Sequence, residues 1–177
     1  MQDYEKFIAT NDFAVFNGFS AGLPNFQTTI HTIGAILLNQ SQAELHELPA
    51  SVLTGSYYSD IPQMFRIMND YADTQGFPAA FPTCRPKYTV DGNIVYESVF
   101  IKPGVTVWRD VPRDELNVYH IEDVPNMMRA ANRYAHQNGF AAGFPTFHQA
   151  IHGNVVMCGV ILFLPNTIVT KTDIPVS

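Results

Sequence analysis

The side chains best suited to chemistry lie towards the C-terminal end: His148, His152 and Cys158. Imidazole and thiolate are common zinc ligands, and a thiol beside an imidazole can be an activated nucleophile. Neither pattern is complete here. The spacing fits no strong zinc signature, and Pro145 just upstream argues against a helix carrying both histidines on one face. Cys158 lies inside the apolar run Val155–Leu164, where an inert buried thiol is expected. The chain has no Gly-x-Ser-x-Gly elbow, phosphate loop, dinucleotide fingerprint or EF-hand. No metal and no cofactor are expected.

Carboxylates offer acid–base chemistry. Asp110 with Glu97 and Arg109 could face a cleft. However, Asp110 shares an Asp-Ile/Val-Pro tripeptide with Asp60, Asp123 and Asp173, which reads mainly as a cap or turn device. Trp108 is the single tryptophan. Its counterpart later in the chain is Lys171, so the position is expected to face solvent near a strand end. An aromatic there could serve as a stacking platform or a partner contact.

The elements that must position these residues recur. Residues 138–150 read NGFAAGFPTFHQA, residues 75–87 QGFPAAFPTCRPK and residues 17–29 NGFSAGLPNFQTT. Between 60–84 and 123–147, 13 of 25 aligned positions are identical, more than chance allows in so short a segment. A helical pattern precedes each copy and an apolar run follows it. The first helix covers 5–16, with Phe7, Ile8, Asn11, Ala14 and Val15 on one face. The second starts at Asp60-Ile61-Pro62, with Met64, Ile67, Met68, Tyr71 and Ala72 inward. The third starts at Asp123-Val124-Pro125, with Met127, Ala131, Tyr134 and Ala135 inward. Asp caps such a helix and proline suits its first turn.

Each helix stops at Asn-Gly or Gln-Gly. The glycine is expected in the left-handed conformation, with Phe19, Phe77 or Phe140 folding back on the helix. Pro24, Pro82 and Pro145 hold the preceding residue extended. The segment between reads as a rigid loop. Strands are expected at 33–38, 94–101 and 155–164, with second strands at 105–108 and 168–170. Arg66 and Arg129 recur at one helical position and are expected to reach a carboxylate of the next unit. Comparison between units pairs His148, His152 and Cys158 with Arg85, Asp91 and Glu97.

The resulting expectation is an α+β single domain of three helix-loop-β-hairpin repeats, about 1–51, 57–116 and 120–177, closed about a pseudo-threefold axis. Closure would leave no exposed sheet edges. At 177 residues, the chain can bury a continuous core without metals or disulfides. The formal charge is −6 and the ten Lys and Arg are scattered, which disfavours nucleic acid and anionic membranes. The N-terminus lacks an apolar signal region, so a cytoplasmic location is expected, with signal-less export left open. Cys84 and Cys158 suit a reducing compartment.

Polar residues beside the repeated loops are the candidate ligand contacts: Asn25, Gln27, Thr83, Arg85, Trp108, Thr146, His148 and Gln149. Aromatic rings beside amides and a carboxylate suit a sugar or another neutral polar ligand. A non-catalytic, lectin-like binding protein is the leading expectation, with a homo-oligomer allowed. Two alternatives are a small enzyme built on His148, His152 and Cys158, and a structural or interaction module.

Overall fold

In a computed structural model, which describes residues 1–27, 29–49, 51–53 and 60–176, the chain is an α+β single domain. Its helices are α1 (Asp3–Phe16), α2 (Ile61–Thr74), α3 (Arg113–Leu116) and α4 (Val124–Gln137). Its strands are β1 (Ala21–Pro24), β2 (Thr32–Leu38), β3 (Ala43–Pro49), β4 (Ala79–Tyr88), β5 (Ile94–Ile101), β6 (Thr106–Pro112), β7 (Ala142–His152), β8 (Val155–Phe163) and β9 (Thr170–Pro175). Among the described residues, no helix is long and apolar enough to cross a membrane.

The long helices start and stop as their sequences predict. Asp60 and Asp123 cap α2 and α4 by accepting from the Gln63 and Asn126 amides, with proline in the first turn. Gly18, Gly76 and Gly139 have φ of 87°, 84° and 82°. The amides of Phe19, Phe77 and Phe140 then each donate 2.9 Å back to the helix, to the carbonyls of Ala14, Ala72 and Ala135. This is the left-handed helix stop with its returning aromatic.

The segment after each stop is a strand, not a rigid loop. Its first residues, Ala21–Pro24, Ala79–Pro82 and Ala142–Pro145, are all buried. Each forms the hairpin with the apolar strand that follows: β1 with β2, β4 with β5, β7 with β8. The second strands expected after 94–101 and 155–164 go elsewhere, as does the unexpected β3. β3 pairs with β5, β6 with β8 and β9 with β2, all antiparallel, which makes three sheets of three strands. Strand β6 runs on to Pro112, so Trp108 sits inside it and not near its end, while Asp110 and Asp173 lie in strands, not turns. The strand β3 and the single turn α3 have no counterpart in the sequence reading. The expected unit limits at 57 and 177 fall outside the described residues.

The helices bury two faces. On α2, Met64, Met68 and Ala72 pack on the strand face holding Ala80 and Phe100. Phe65, one position round from Met64, enters a different cluster with Phe7, Phe26, Phe81, Phe144, Phe147 and Met128. A single amphipathic face does not predict this, and Val15, expected inward on α1, is instead 48% exposed.

A buried asparagine locks each helix to its strand. Asn11, Asn69 and Asn132 accept from the backbone amides of Gly22, Ala80 and Gly143, at 3.1, 2.9 and 3.1 Å. The contact is close: a Cβ on Gly22 would lie 2.7 Å from the Thr10 carbonyl oxygen, and one on Gly143 would lie 2.9 Å from that of Ala131. Neither glycine has positive φ, so small size explains them, as Ala80 at the matching place suggests.

Candidate functional site

The residue two places after each repeated proline is left-handed without being glycine. Phe26, Cys84 and Phe147 have φ of 61°, 62° and 63°, and all three are buried. This conformation costs an L-residue about 1–2 kcal/mol. In β4 and β7 the pairing register jumps across it, between Pro82 and Pro86 and between Pro145 and Gln149. Such a bulge re-aims the next side chain.

Local polar groups hold the bulge. Asn25 Oδ1 accepts from the Gln27 amide (2.9 Å), Thr83 Oγ1 from the Arg85 amide (3.3 Å) and Thr146 Oγ1 from the His148 amide (3.2 Å). Thr83 and Thr146 are buried and donate towards the carbonyls of Glu97 and Gly159. These two hydroxyls therefore serve the backbone and offer no surface to a ligand.

The residues that follow meet a helix from elsewhere in the chain. Arg85 pairs with Asp12 of α1, and His148 Nε2 lies 2.8 Å from Asp70 Oδ1 of α2. The recurring arginines act at the same bulges. Arg66 Nη1 donates to the Phe147 carbonyl (3.1 Å) and to Glu122, and Arg129 Nη1 donates to the Phe26 carbonyl (3.1 Å). Arg66 thus finds the expected carboxylate, whereas the role the two arginines share is to bind a backbone carbonyl.

Trp108, Thr146 and His148 come together on the sheet β6-β8-β7. The Trp108 and His148 rings lie 5.3 Å apart between centroids, tilted by 57°. The indole N–H donates 3.0 Å to Asp110 Oδ1. Gly159 on the intervening strand makes room, since a Cβ there would lie 2.7 Å from Trp108 Cζ2 and 2.4 Å from Thr146 Oγ1. The indole therefore lies along the sheet over Gly159, reaches His148, and still leaves 43% of its residue surface exposed. Strand register confirms that Lys171 is its counterpart, because Trp108 pairs with Ile161 and Lys171 pairs with Ile36. With Nε2 directed at Asp70, His148 Nδ1 is buried and has no hydrogen-bond partner among the described residues.

The other candidates stand apart. Asn25 and Gln27 follow the end of β1, and Arg85 lies at the β4 bulge. Gln149 is exposed and pairs with Cys158. His152 pairs with Val155 at the hairpin end. No hydrogen bond joins His148 to Cys158, and burial pushes the Cys158 thiol up, opposed only in part by Arg113. Cys84 is raised by burial alone, and both cysteines are free. Among the described residues, no three His, Cys, Asp or Glu side chains could hold a metal ion. Register also corrects the alignment between units: Cys158 faces Gln149 as Tyr96 faces Pro86, so the counterpart of Cys158 is Tyr96 and not Glu97. Glu97 instead matches Gly159 and pairs with Lys87 at 2.6 Å.

Sequence reasoning passed over Gly159, Asp70, Asn69 and Asn132, and set Asn11 on a helical face without its strand partner. The asparagines carried a readable signal, each standing eleven residues before the small residue whose amide it receives. Gly159 and Asp70 matter only through contacts across sheets and helices.

Gly159→Ala is expected to lift the indole off the sheet. Its emission should move to longer wavelength, and stability should fall by about 1–3 kcal/mol from overpacking. Fluorescence and urea unfolding would check both, and an unmoved emission maximum would show that the indole does not rest on Gly159.

No protein-family model, curated protein or solved structure matches the chain.

Proposed function

We propose that the protein is a non-catalytic binder of a small polar ligand, with a sugar as the preferred class, and that its principal site is the Trp108–His148 seam. One observation carries the reading: a half-exposed indole that rests over Gly159 of the sheet, with its N–H on the Asp110 carboxylate and its ring beside His148, which Asp70 holds. A flat aromatic face stacks on the apolar face of a sugar ring while carboxylates and imidazole take its hydroxyls.

The fold proposed with it is three repeats closed about a pseudo-threefold axis. Three exchanged strands support this, each unit's last strand joining another unit's sheet. So does one depression of about 350 Å³ that Asp3, Ile61 and Val124, matching positions of the three helices, line together with Gln2 and Tyr4. Under that arrangement the seams are related but unequal. Leu45 and Lys171 stand at the Trp108 position, and Arg85 and Gln27 at the His148 position. Only one seam then has an aromatic platform.

The enzyme alternative draws less support, because His148 is committed to Asp70 and the Cys158 thiol is held protonated by burial. The interaction alternative rests on Tyr88, Val90 and Ile151, exposed at two hairpin ends.

The test is a thermal-shift screen of neutral and charged monosaccharides on native protein and Trp108→Ala. A binder of the native state raises Tm by mass action, by the equivalent of about 2.7 kcal/mol at one hundred times Kd. The shift should vanish in Trp108→Ala. A shift that survives Trp108→Ala would move the site elsewhere, and no shift with any sugar would leave the interaction reading.

A further inference from the structure

We infer that the Trp108 seam selects cationic ligands, specifically an amino sugar or similar protonated amine, over neutral and acidic sugars. This rests on the proposed ligand reading and names the class of ligand.

The argument is electrostatic and local. One carboxylate borders the half-exposed indole directly and a second is held by the histidine beside it. Asp110 accepts the indole N–H at 3.0 Å, and Asp70, itself 73% exposed at its side chain, holds His148 Nε2 at 2.8 Å. A ligand resting on Trp108 therefore meets the Asp110 carboxylate directly and the Asp70 carboxylate beyond the His148 ring, presented by different elements, β6 and α2. The tryptophan face attracts cations through its own quadrupole, so platform and rim favour the same charge.

Neighbouring cations are engaged elsewhere. Arg66 spends its guanidinium on Gln63, Glu122 and the Phe147 carbonyl. Arg109, the next residue after Trp108, turns to the Tyr134 hydroxyl and lies over the Phe140 ring at 5.1 Å. The chain as a whole carries −6, which adds to the preference. The matching place in the β4 seam differs: Arg85 there meets Asp12, and Lys87 meets Glu97 and Glu47, so its carboxylates are paired with arginine and lysine, whereas Asp70 is paired with an imidazole. On the sheet of β1, β2 and β9 the counterpart of Trp108 is Lys171, a cation that would repel such a ligand.

The experiment uses the intact protein and the fluorescence of Trp108, its only tryptophan. Glucosamine, N-acetylglucosamine, glucose and glucuronate are titrated at pH 6 in low salt. Glucosamine is expected to bind roughly three- to tenfold more tightly than N-acetylglucosamine, the ratio that a half-exposed cation–π contact and surface charge pairs supply. Glucuronate should be weakest. The advantage should shrink in high salt and in Asp110→Asn, which keeps an acceptor for the indole N–H, and again in Asp70→Asn. Equal affinity for glucosamine and N-acetylglucosamine would overturn charge selection while leaving the sugar reading intact. Tighter glucuronate binding would do the same. Silence from all four sugars would overturn the selection together with the reading beneath it.

Discussion

Phe147→Ala should destabilise the protein by about 3–5 kcal/mol, the usual cost of deleting a buried aromatic ring. The ring is 2% exposed and lies 5.2 Å from that of Phe65 between centroids, inside the cluster shared by the helices and strands. Its backbone makes the result diagnostic. At φ 63°, alanine inherits the left-handed penalty that phenylalanine pays, while glycine does not. Phe147→Gly should therefore be no less stable than Phe147→Ala, and more stable by up to about 1 kcal/mol, against the usual order of the two residues in a strand. Urea unfolding of both variants decides it. Alanine clearly ahead of glycine would mean that the left-handed bulge is absent.

Asn69→Ala should cost about 2–4 kcal/mol, because it strands a buried backbone amide and carbonyl together. Asn69 Nδ2 donates 2.8 Å to the Ala80 carbonyl, and Oδ1 accepts from the Ala80 amide at 2.9 Å. No water can replace these bonds where the side chain is 4% exposed and its strand partner is fully buried. Asn69→Asp is the sharper probe. It keeps the acceptor but sets a carboxylate against the Ala80 and Phe65 carbonyls, so the folded state should hold the acid protonated. Its pKa is then raised on folding above the unfolded value of about 3.9, and the folded state binds more protons between the two. Stability should be greatest below pH 4 and fall as pH rises towards 7, relative to the wild type. Parallel pH profiles of the two proteins would expose an ordinary, solvated aspartate.

The helix ends and the positions of the apolar strands were legible in the sequence because their causes are short-range. Asp60 and Asp123 cap through amides three residues on, and Gly18, Gly76 and Gly139 turn the chain within one residue. Such interactions are complete within a few residues, so residue type and spacing are enough to reveal them. The strand after each turn was hidden because Pro24, Pro82 and Pro145 look like loop residues. They sit where β1, β4 and β7 pair on one side only, so no missing amide is felt there.

What tertiary structure alone decided is which strand lies beside which, and hence the site. Alternation of side chains states which residues share a face of a strand, but says nothing about which strand is its neighbour. Nothing near β6 in sequence indicates that it pairs with β8 and not with β5. Yet that pairing lays Trp108 over Gly159 and against His148. Asp70 reaches His148 across 78 residues only because α2 packs on β7 as well as on β4. Likewise, Asn69 and Phe65 read as ordinary helix residues until the helix is seen packed between two hydrophobic clusters. Local chemistry wrote the elements, and long-range burial chose the partners that bring one tryptophan, one histidine and two aspartates into a single seam.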